Sequence, residues 1–313
     1  GYCCRCFNPH YLRNLIIFIH ENIQKIRLLL EVDWMAKTYT MEKTILFIIL
    51  LCIGLFMFYP MVWMILSSLK TTDEVLGSSM TFLPSDPQWS NFPRALEAAP
   101  FLRFLWNSFF TASVIVLVQL FLSSLLAYAL SHMEFKGRHA LFMIVLSTYM
   151  LPGAATYVPS YVIIARMGLM DSLNGIIVSN LANVFTIFLL RQNFLKVPRE
   201  LIEAARADGA SEWLILWRIV APLSKNAMIN ASILSFIGNF NNYLWPSLIT
   251  KSEENYLISV GLNRFFSTQG TFADTFPLLM AATALSVVPL LLVYFILQKY
   301  FIGTFSTSAG IKG

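Results

Sequence analysis

The sequence predicts an all-α, polytopic membrane protein with six transmembrane helices. Only 12% of the 313 residues are charged, whereas a soluble domain usually carries about 25%. Hydrophobic residues make up 57% of the chain and are concentrated in long runs between polar segments. A run of about 20 apolar residues crosses a bilayer as a helix, which satisfies its backbone polar groups internally. Composition therefore excludes an ordinary soluble domain.

Residues 1–43 precede the first apolar run and are predicted to be an N-terminal cytoplasmic extension. Residues 1–34 hold three cysteines and an apolar run too short to span a bilayer. Cys3 and Cys6 form a C-x-x-C that no second pair or ligand histidine completes as a zinc site, so no metal site is predicted. Two interpretations stay open. Either Met35 is the natural start and the preceding residues are translated upstream sequence, or those residues form an amphipathic helix on the membrane surface.

Six apolar runs within residues 44–298 form the predicted membrane domain, and residues 299–313 form a predicted cytoplasmic tail. The first run follows a basic segment but precedes no small-residue cleavage site, which indicates a retained helix rather than a signal peptide. Polar or proline-containing connections separate the runs. The predicted spans are about residues 44–69, 106–131, 140–164, 175–190, 227–250 and 276–298.

Lysine and arginine counts predict the orientation of these spans. With the N terminus inside, and residues 1–34 left out, the inner segments carry twelve basic residues and the outer loops carry six. The positive-inside rule then places both termini and the loop 191–226 in the cytoplasm. The formal charge of +5 indicates loops that face the cytoplasm and anionic membrane lipid, because the scattered basic residues match no nucleic-acid-binding signature.

The interiors of the predicted spans contain no Asp, Glu, Lys or Arg. Ion-coupled pumps and membrane-embedded enzymes usually need ionisable or metal-binding groups at membrane depth. The driving energy is therefore expected to come from outside this chain, and no catalytic residue is predicted. The chain also lacks a Walker nucleotide-binding motif, so a nucleotide would be bound by another polypeptide. Gln119 in the second span is expected to hydrogen-bond between helices.

A helix–turn–helix elbow is predicted within the loop 191–226. Leu201, Ala204 and Ala205 occur at i, i+3 and i+4, which gives the first helix a face of small apolar residues. Gly209 then stands where a left-handed C-terminal cap is expected.

The second helix of the elbow is predicted to carry bulky side chains. Ser211 is a suitable N-cap, and Pro222 is expected to end the helix. The bulky stripe consists of Trp213, Leu216, Trp217 and Val220.

The elbow resembles the EAA-x3-G-x9-I-x-L-P signature of the membrane subunits of bacterial ABC importers. The matching positions are Glu203, Ala204, Ala205, Gly209, Ile219 and Pro222. Ala221 departs from the pattern, which has leucine there. The resemblance extends over residues 41–313. The stretches FLPSDPQWSNF, NNYLWPSLIT and AGIKG look like the carbohydrate branch, and most like its maltose-transporter-type second permease subunit.

The resemblance implies partners and a role for the elbow. The elbow would be the cytoplasmic coupling loop that docks into a separate ATP-binding subunit. The complex would contain a second permease subunit, two ATP-binding subunits and an extracytoplasmic solute-binding protein that contacts the outer loops 70–105 and 251–275. ATP and magnesium would be bound by the partner, with no cofactor on this chain, in the bacterial cytoplasmic membrane. The implied coupling residues are Glu203, Ala204, Ala205, Asp208, Gly209, Ile219 and Pro222.

The fifth span contains candidate residues for the substrate path. They are Asn239, Asn241, Asn242, Tyr243 and Trp245, just before Pro246, where a helix break is expected. Amides match sugar hydroxyls and aromatic rings stack on sugar C–H faces. The alternative is that the amides bond neighbouring helices and the rings belong to the interfacial belt. The expected cargo is a sugar or oligosaccharide, with glycerol 3-phosphate or another small polar solute as the alternative. A phosphorylated cargo would favour cationic groups along the path, and the spans carry none.

Overall fold

The structure is a computed structural model, and it describes residues 43–76, 82–268 and 272–308. These residues form helices, turns and loops with no strand among them, so the all-α prediction is confirmed. The chain consists of two compact units, residues 1–63 and 64–313. The predicted extension, including its cysteine cluster, lies outside the described residues apart from residue 43.

The first described helix, α1 (Lys43–Ser68), corresponds to the first predicted span. It is long and apolar enough to cross a membrane. The side chains of residues 43–60 are all exposed. An exposed apolar surface of this length requires lipid or another protein around it.

The remaining helices belong to the second unit, and they range from one turn to more than ten turns in length. In chain order they are α2 (Thr72–Leu76), α3 (Asn91–Ala98), α4 (Phe101–His132), α5 (Arg138–Tyr149), α6 (Gly153–Arg166), α7 (Leu173–Ser179), α8 (Val184–Phe194), α9 (Arg199–Ala207), α10 (Glu212–Ile215), a π-helical segment (Leu216–Val220), α11 (Ala221–Leu223), α12 (Lys225–Phe240), α13 (Leu244–Ile249), α14 (Ile258–Thr268) and α15 (Phe272–Ser308).

Three of the described helices, α1, α4 and α15, are each long and apolar enough to span a membrane. The fourth predicted span is a bent pair, α7 and α8, whose axes differ by 45°. The predicted spans 140–164 and 227–250 are not single helices: α5 and α6 divide the first, and α12 and α13 divide the second. Multi-pass membrane architecture is established, and the count of six spans stays a prediction.

Prolines explain two of these breaks. Pro152 has no N–H and disfavours the helical conformation at Leu151, so α5 ends before it and α6 begins after it. Pro246 lies in the first turn of α13, where its missing N–H needs no partner. A helix running unbroken through Pro246 would leave the carbonyl of Asn242 without its i+4 donor, and the chain is broken at residues 241–243 instead.

Helix α4 lies at the centre of the second unit and packs against α7, α8, α12 and α14. Phe104 on α4 is fully buried, and Phe101 meets Phe265 edge-on with ring centroids 5.3 Å apart. Gly261 on α14 lies against Phe104, and a Cβ at this glycine would come within 2.2 Å of the ring. The absence of a side chain at Gly261 therefore sets the close approach of α14 to α4.

A polar junction at Asp171 fastens the loop between α6 and α7 to the loop after α13. The Asp171 carboxylate accepts hydrogen bonds from the backbone N–H groups of Lys251 and Ser252, at 2.8 and 2.9 Å. It also accepts from the Ser252 hydroxyl at 2.5 Å. The backbone carbonyl of Asp171 accepts from the Asn255 amide at 2.6 Å, and its N–H donates to Ile249 at 2.7 Å.

These donors also hold the carboxylate in its charged form. Hydrogen bonds, first of all from Ser252, lower the pKa of Asp171 from 3.8 to about 2. Because the pKa is depressed in the folded state, the stabilisation is present above pH 3.8 and is lost as the pH falls through about 2. Asp171 also has φ +52°, a left-handed conformation that Asp and Asn tolerate better than most other residues.

We predict that Asp171→Ala lowers the free energy of unfolding by about 1–3 kcal/mol, because it removes the acceptor of several hydrogen bonds. Asp171→Asn keeps one acceptor oxygen and tolerates the positive φ, so its loss is smaller. Thermal unfolding of the detergent-purified proteins is the measurement, and stability should decrease in the order wild type, Asp171→Asn, Asp171→Ala. Glu97→Ala, at an exposed carboxylate on α3, is the matched control and leaves stability unchanged. Equal stability of wild type and Asp171→Ala would contradict the prediction.

Candidate coupling elbow and substrate path

The predicted elbow is present as α9, a turn at Gly209, and α10. Gly209 has φ +81°, the left-handed conformation expected after a helix end. The Ser211 hydroxyl accepts a hydrogen bond from the N–H of Leu214 and caps α10. Both predictions are confirmed. Each depends only on residues a few positions apart in the sequence.

Helix α9 buries one side chain and exposes most of the others. Ile202 is 2% exposed and anchors the helix in the core. Ala205 packs partly against the same core, whereas Leu201, Glu203 and Ala204 are exposed. Part of the predicted small apolar face is therefore open to a partner, and the sequence pattern did not identify Ile202 as the anchor.

An ion pair braces the two arms of the elbow against each other and against α4. Arg206 on α9 donates to both carboxylate oxygens of Glu212 on α10, at 2.7 and 3.1 Å. The Tyr128 hydroxyl on α4 donates to Glu212 Oε2 at 2.5 Å. Arg206 Nη2 also donates to the backbone carbonyl of His132, the last residue of α4, at 3.1 Å. The brace therefore ties the elbow directly to the central helix.

Charge and hydrogen bonding reinforce each other in this brace. The hydrogen bonds of Arg206 hold the pKa of Glu212 below its ordinary value, and burial opposes this shift only partly. Hydrogen bonding to Glu212 likewise raises the pKa of Arg206. Arg206 and Glu212 are about one third and two fifths exposed, so the pair functions through its fork geometry more than through its Coulomb energy. The brace was not predicted because Arg206 and Glu212 lie on different helices and Tyr128 lies 84 residues before Glu212.

The second helix of the elbow continues beyond the position at which it was expected to end. Pro222 was predicted to end the helix after Val220, and this prediction is wrong: the π-helical segment leads into α11, which contains Pro222. A π-helical turn changes the hydrogen-bond register, which accommodates a residue that has no N–H to donate. Ile219 is half-buried against the core of α4 and α8, and Pro222 is exposed.

A small charged cleft of about 20 Å³ lies beside α9, on the side of the helix that carries Ile202 and Arg206. It combines side chains from the end of α4, the start of α5 and α9. Its lining consists of His132, Glu134, Arg138, Arg199, Ile202, Glu203 and Arg206. Asp208, the remaining predicted coupling residue, follows α9 and is exposed. Glu203 thus lines a small polar recess and is itself exposed.

The five candidate path residues lie around the break between α12 and α13, but in different environments. Asn239 donates to the Ser235 carbonyl at 2.8 Å within its own helix. Asn241 and Tyr243 are exposed, and the Tyr243 hydroxyl donates to Asn263 at 2.9 Å. The Asn242 carbonyl accepts from Ser259 at 2.7 Å.

Trp245 occupies the most enclosed of these positions. It is 4% exposed, its ring stacks on Tyr157 at 5.7 Å, and its indole N–H donates to Ser179 at 2.7 Å. The structure therefore places Asn241 and Tyr243 on an accessible surface and Trp245 inside the helix packing.

The comparisons with known proteins agree with this architecture. The family described as "Binding-protein-dependent transport system inner membrane component" matches residues 119–305, which include the elbow and the path residues. The Arabinooligosaccharides transport system permease protein AraQ of Bacillus subtilis (strain 168) is 30% identical over 278 residues, covering 88% of this chain and 96% of the relative.

Two further comparisons concern another cargo and a solved structure. The sn-glycerol-3-phosphate transport system permease protein UgpE of Yersinia pestis bv. Antiqua (strain Antiqua) is 33% identical over 261 residues, covering 81% of this chain and 92% of the relative. The crystal structure of a bacterial ABC transporter involved in the import of the acidic polysaccharide alginate contains a chain with a TM-score of 0.71 and 27% identity, covering 81% of this chain and 94% of that chain.

These relatives are permeases of transport systems, which confirms the interpretation of the chain as a transport component and not an enzyme. The match covers more than half of the chain, and the relatives are aligned over most of their length. The chain therefore belongs to the family of binding-protein-dependent transport system inner membrane components.

Proposed function

We propose that this chain is the membrane-spanning permease subunit of an ATP-driven importer of sugars or oligosaccharides, and that the elbow couples it to a separate ATPase. The observation that carries the proposal is the construction of α9. One face is fixed in the core by Ile202 and by the Arg206–Glu212 brace, and the opposite face, with Leu201 and Ala204, is exposed.

The small exposed face suits close approach by a partner backbone. Ala204 presents only a methyl group, so a partner helix or loop can approach α9 without displacing a long side chain. Glu203 beside it offers a charge-assisted hydrogen bond to a partner Arg or Lys. Because Glu212 and Tyr128 connect the elbow to α4, displacement of α9 by the partner is passed to the central helix of the bundle.

The proposed complex contains a second permease subunit, two ATP-binding subunits with ATP and magnesium, and an extracytoplasmic solute-binding protein. Dependence on a binding protein follows from the family, and the other partners are part of the proposal. The chain itself has no Walker motif to hold the nucleotide. The basic residues that favour the inside orientation support a cytoplasmic elbow and cytoplasmic termini, with residues 44–298 as the permease domain.

We favour a neutral sugar as cargo. AraQ is a permease for arabinooligosaccharides, and the exposed pair of Asn241 and Tyr243 combines an amide with an aromatic ring, as sugar recognition requires. The similarity to UgpE supports glycerol 3-phosphate as the second candidate. The interiors of the predicted spans contain no Lys or Arg to accompany a phosphate, which favours the sugar.

The docking proposal predicts that Ala204→Trp reduces uptake by about tenfold or more, a change equivalent to about 1.4 kcal/mol of docking free energy. The substituted side chain points away from the core, so membrane insertion is unaffected. Leu223→Trp is the matched control, because Leu223 is exposed on the same elbow but on α11, and it retains uptake. The measurement is solute uptake in a strain that lacks the chromosomal gene, with copurification of the ATPase as a second readout. Equal uptake by Ala204→Trp and wild type would contradict docking at this face.

The shape of the elbow gives a separate prediction. Gly209→Val places a β-branched residue at φ +81°, which costs about 1–2 kcal/mol or more, and we expect uptake to fall severalfold. Gly209→Asn is the control, since asparagine tolerates this conformation, and it keeps most of the uptake. Similar losses in the two variants, at equal membrane levels, would show that backbone conformation at Gly209 is not what matters.

The cargo is tested by uptake competition. Wild-type cells take up a labelled arabinooligosaccharide, and we expect an excess of unlabelled neutral oligosaccharide to suppress this uptake while glycerol 3-phosphate leaves it unchanged. A strain without the gene provides the background rate. Uptake of glycerol 3-phosphate that depends on the gene, with none of the oligosaccharide, would replace the sugar by the second candidate.

A further inference from the structure

Six residues of the second unit are linked in series by hydrogen bonds, through their side chains and one backbone carbonyl. We name this set the polar chain. In order of contact it consists of Trp245, Ser179, Asn180, Gln119, Ser235 and Asn239. The set connects α13, the end of α7, α4 and α12, so it joins the two broken spans through the central helix.

Gln119 is the central member of the polar chain. It is 3% exposed, its side-chain N–H group donates to the backbone carbonyl of Asn180, and its oxygen accepts from the Ser235 hydroxyl. Asn180 is the residue at which α7 ends, where helix carbonyls lose their regular partners. Gln119 therefore satisfies a backbone group that the break in the fourth span leaves open. The expectation that this glutamine bonds between helices is confirmed.

Trp245 forms the other connection between the two broken spans. Its indole N–H donates to the Ser179 hydroxyl, which also accepts from the Asn180 side chain at 3.2 Å. Ser235 precedes the break at residues 241–243 and Trp245 follows it. Trp245 is thus bonded to Ser179 directly, and Ser235 is connected to the neighbouring Asn180 through Gln119.

Three members of the polar chain are buried, whereas residues at the nearby break are accessible. Gln119, Ser235 and Trp245 are each less than a tenth exposed, and their polar groups already have partners inside the protein. Asn241 and Tyr243, between the attached sides of the break, are exposed. A solute entering this region therefore meets Asn241 and Tyr243 before it can reach Gln119, Ser235 or Trp245.

We propose that the polar chain holds the two breaks together so that they move as one unit during transport. In this arrangement Asn239 and Trp245 are positioning residues, whereas Asn241 and Tyr243 contact the transported solute. The inference rests on the proposed function as an ATP-driven importer, and it divides the candidate path residues into two roles. The physical basis is that water does not replace a hydrogen bond that opens within an apolar bundle, so the joined segments resist separation.

The test uses the complete transporter in proteoliposomes, supplied with its binding protein and ATP. Labelled arabinooligosaccharide and, in parallel, labelled glycerol 3-phosphate are the probes. Ser235→Ala removes one cross-helix bond, and Gln119→Leu removes two. We expect solute transported per ATP hydrolysed to fall about fivefold or more, the factor associated with one lost buried hydrogen bond, while the KM for solute stays unchanged.

The chain offers a matched control one turn away from Ser235. The Ser232 hydroxyl donates to the Met228 carbonyl at 2.8 Å within α12, and Ser232→Ala should leave the transport ratio at the wild-type value. The double variant of Gln119→Leu and Ser235→Ala should be no worse than the more affected single variant, because both changes open the same connection. In contrast, Asn241→Ala and Tyr243→Ala should raise the KM.

Several results would overturn the inference. A raised KM with an unchanged transport ratio in Ser235→Ala would make the polar chain part of the contact surface. An unchanged ratio and KM would show that the connection has no role in transport. If Gln119→Leu does not assemble, Ser235→Ala, with Ser235→Thr as the variant that restores the hydroxyl, decides between these results. Absence of ATP-dependent uptake of both probes by wild type would instead refute the proposed function.

Discussion

The absence of water within an apolar helix bundle governs the described part of this protein. A helix satisfies its own backbone groups, but each break opens carbonyl and N–H groups that the protein itself must pair. The Asn180 carbonyl is paired by Gln119, and the Asn242 carbonyl is paired by Ser259. Spans can therefore be interrupted here because side chains of α4 and α14 take the place of solvent.

Because the protein must pair its own polar groups, the residues that join the broken spans are buried, and other polar residues stay accessible. Residues that join broken spans, such as Gln119 and Trp245, are buried and fully engaged, whereas Tyr243 stays exposed beside them. The elbow follows a parallel arrangement, with Ile202 in the core and Ala204 outside. In both regions an exposed group lies next to a buried group that packs against side chains of α4.

Sequence patterns predicted features that depend on neighbouring residues, but they did not predict the contacts between helices. The cap at Ser211 and the positive φ at Gly209 follow from chemistry within one turn of helix, and both are present. Pro222 was expected to end its helix, but the preceding π-helical turn accommodates it. The brace between Arg206 and Glu212 was not predicted, since nothing in the linear pattern brings Tyr128 near them.

The sequence by itself determined that this protein lies in a membrane, that it is helical and that it carries a family signature. Low charge, apolar run length and the spacing around Gly209 are all properties of short segments of the chain. The sequence predicted the helix break before Pro246, whereas only the tertiary structure decided the breaks in the third and fourth spans and which polar residues are exposed. Asn239, Trp245 and Tyr243 look equivalent in the sequence. Their different burial arises from contacts with residues such as Ser179, which lie far away along the chain.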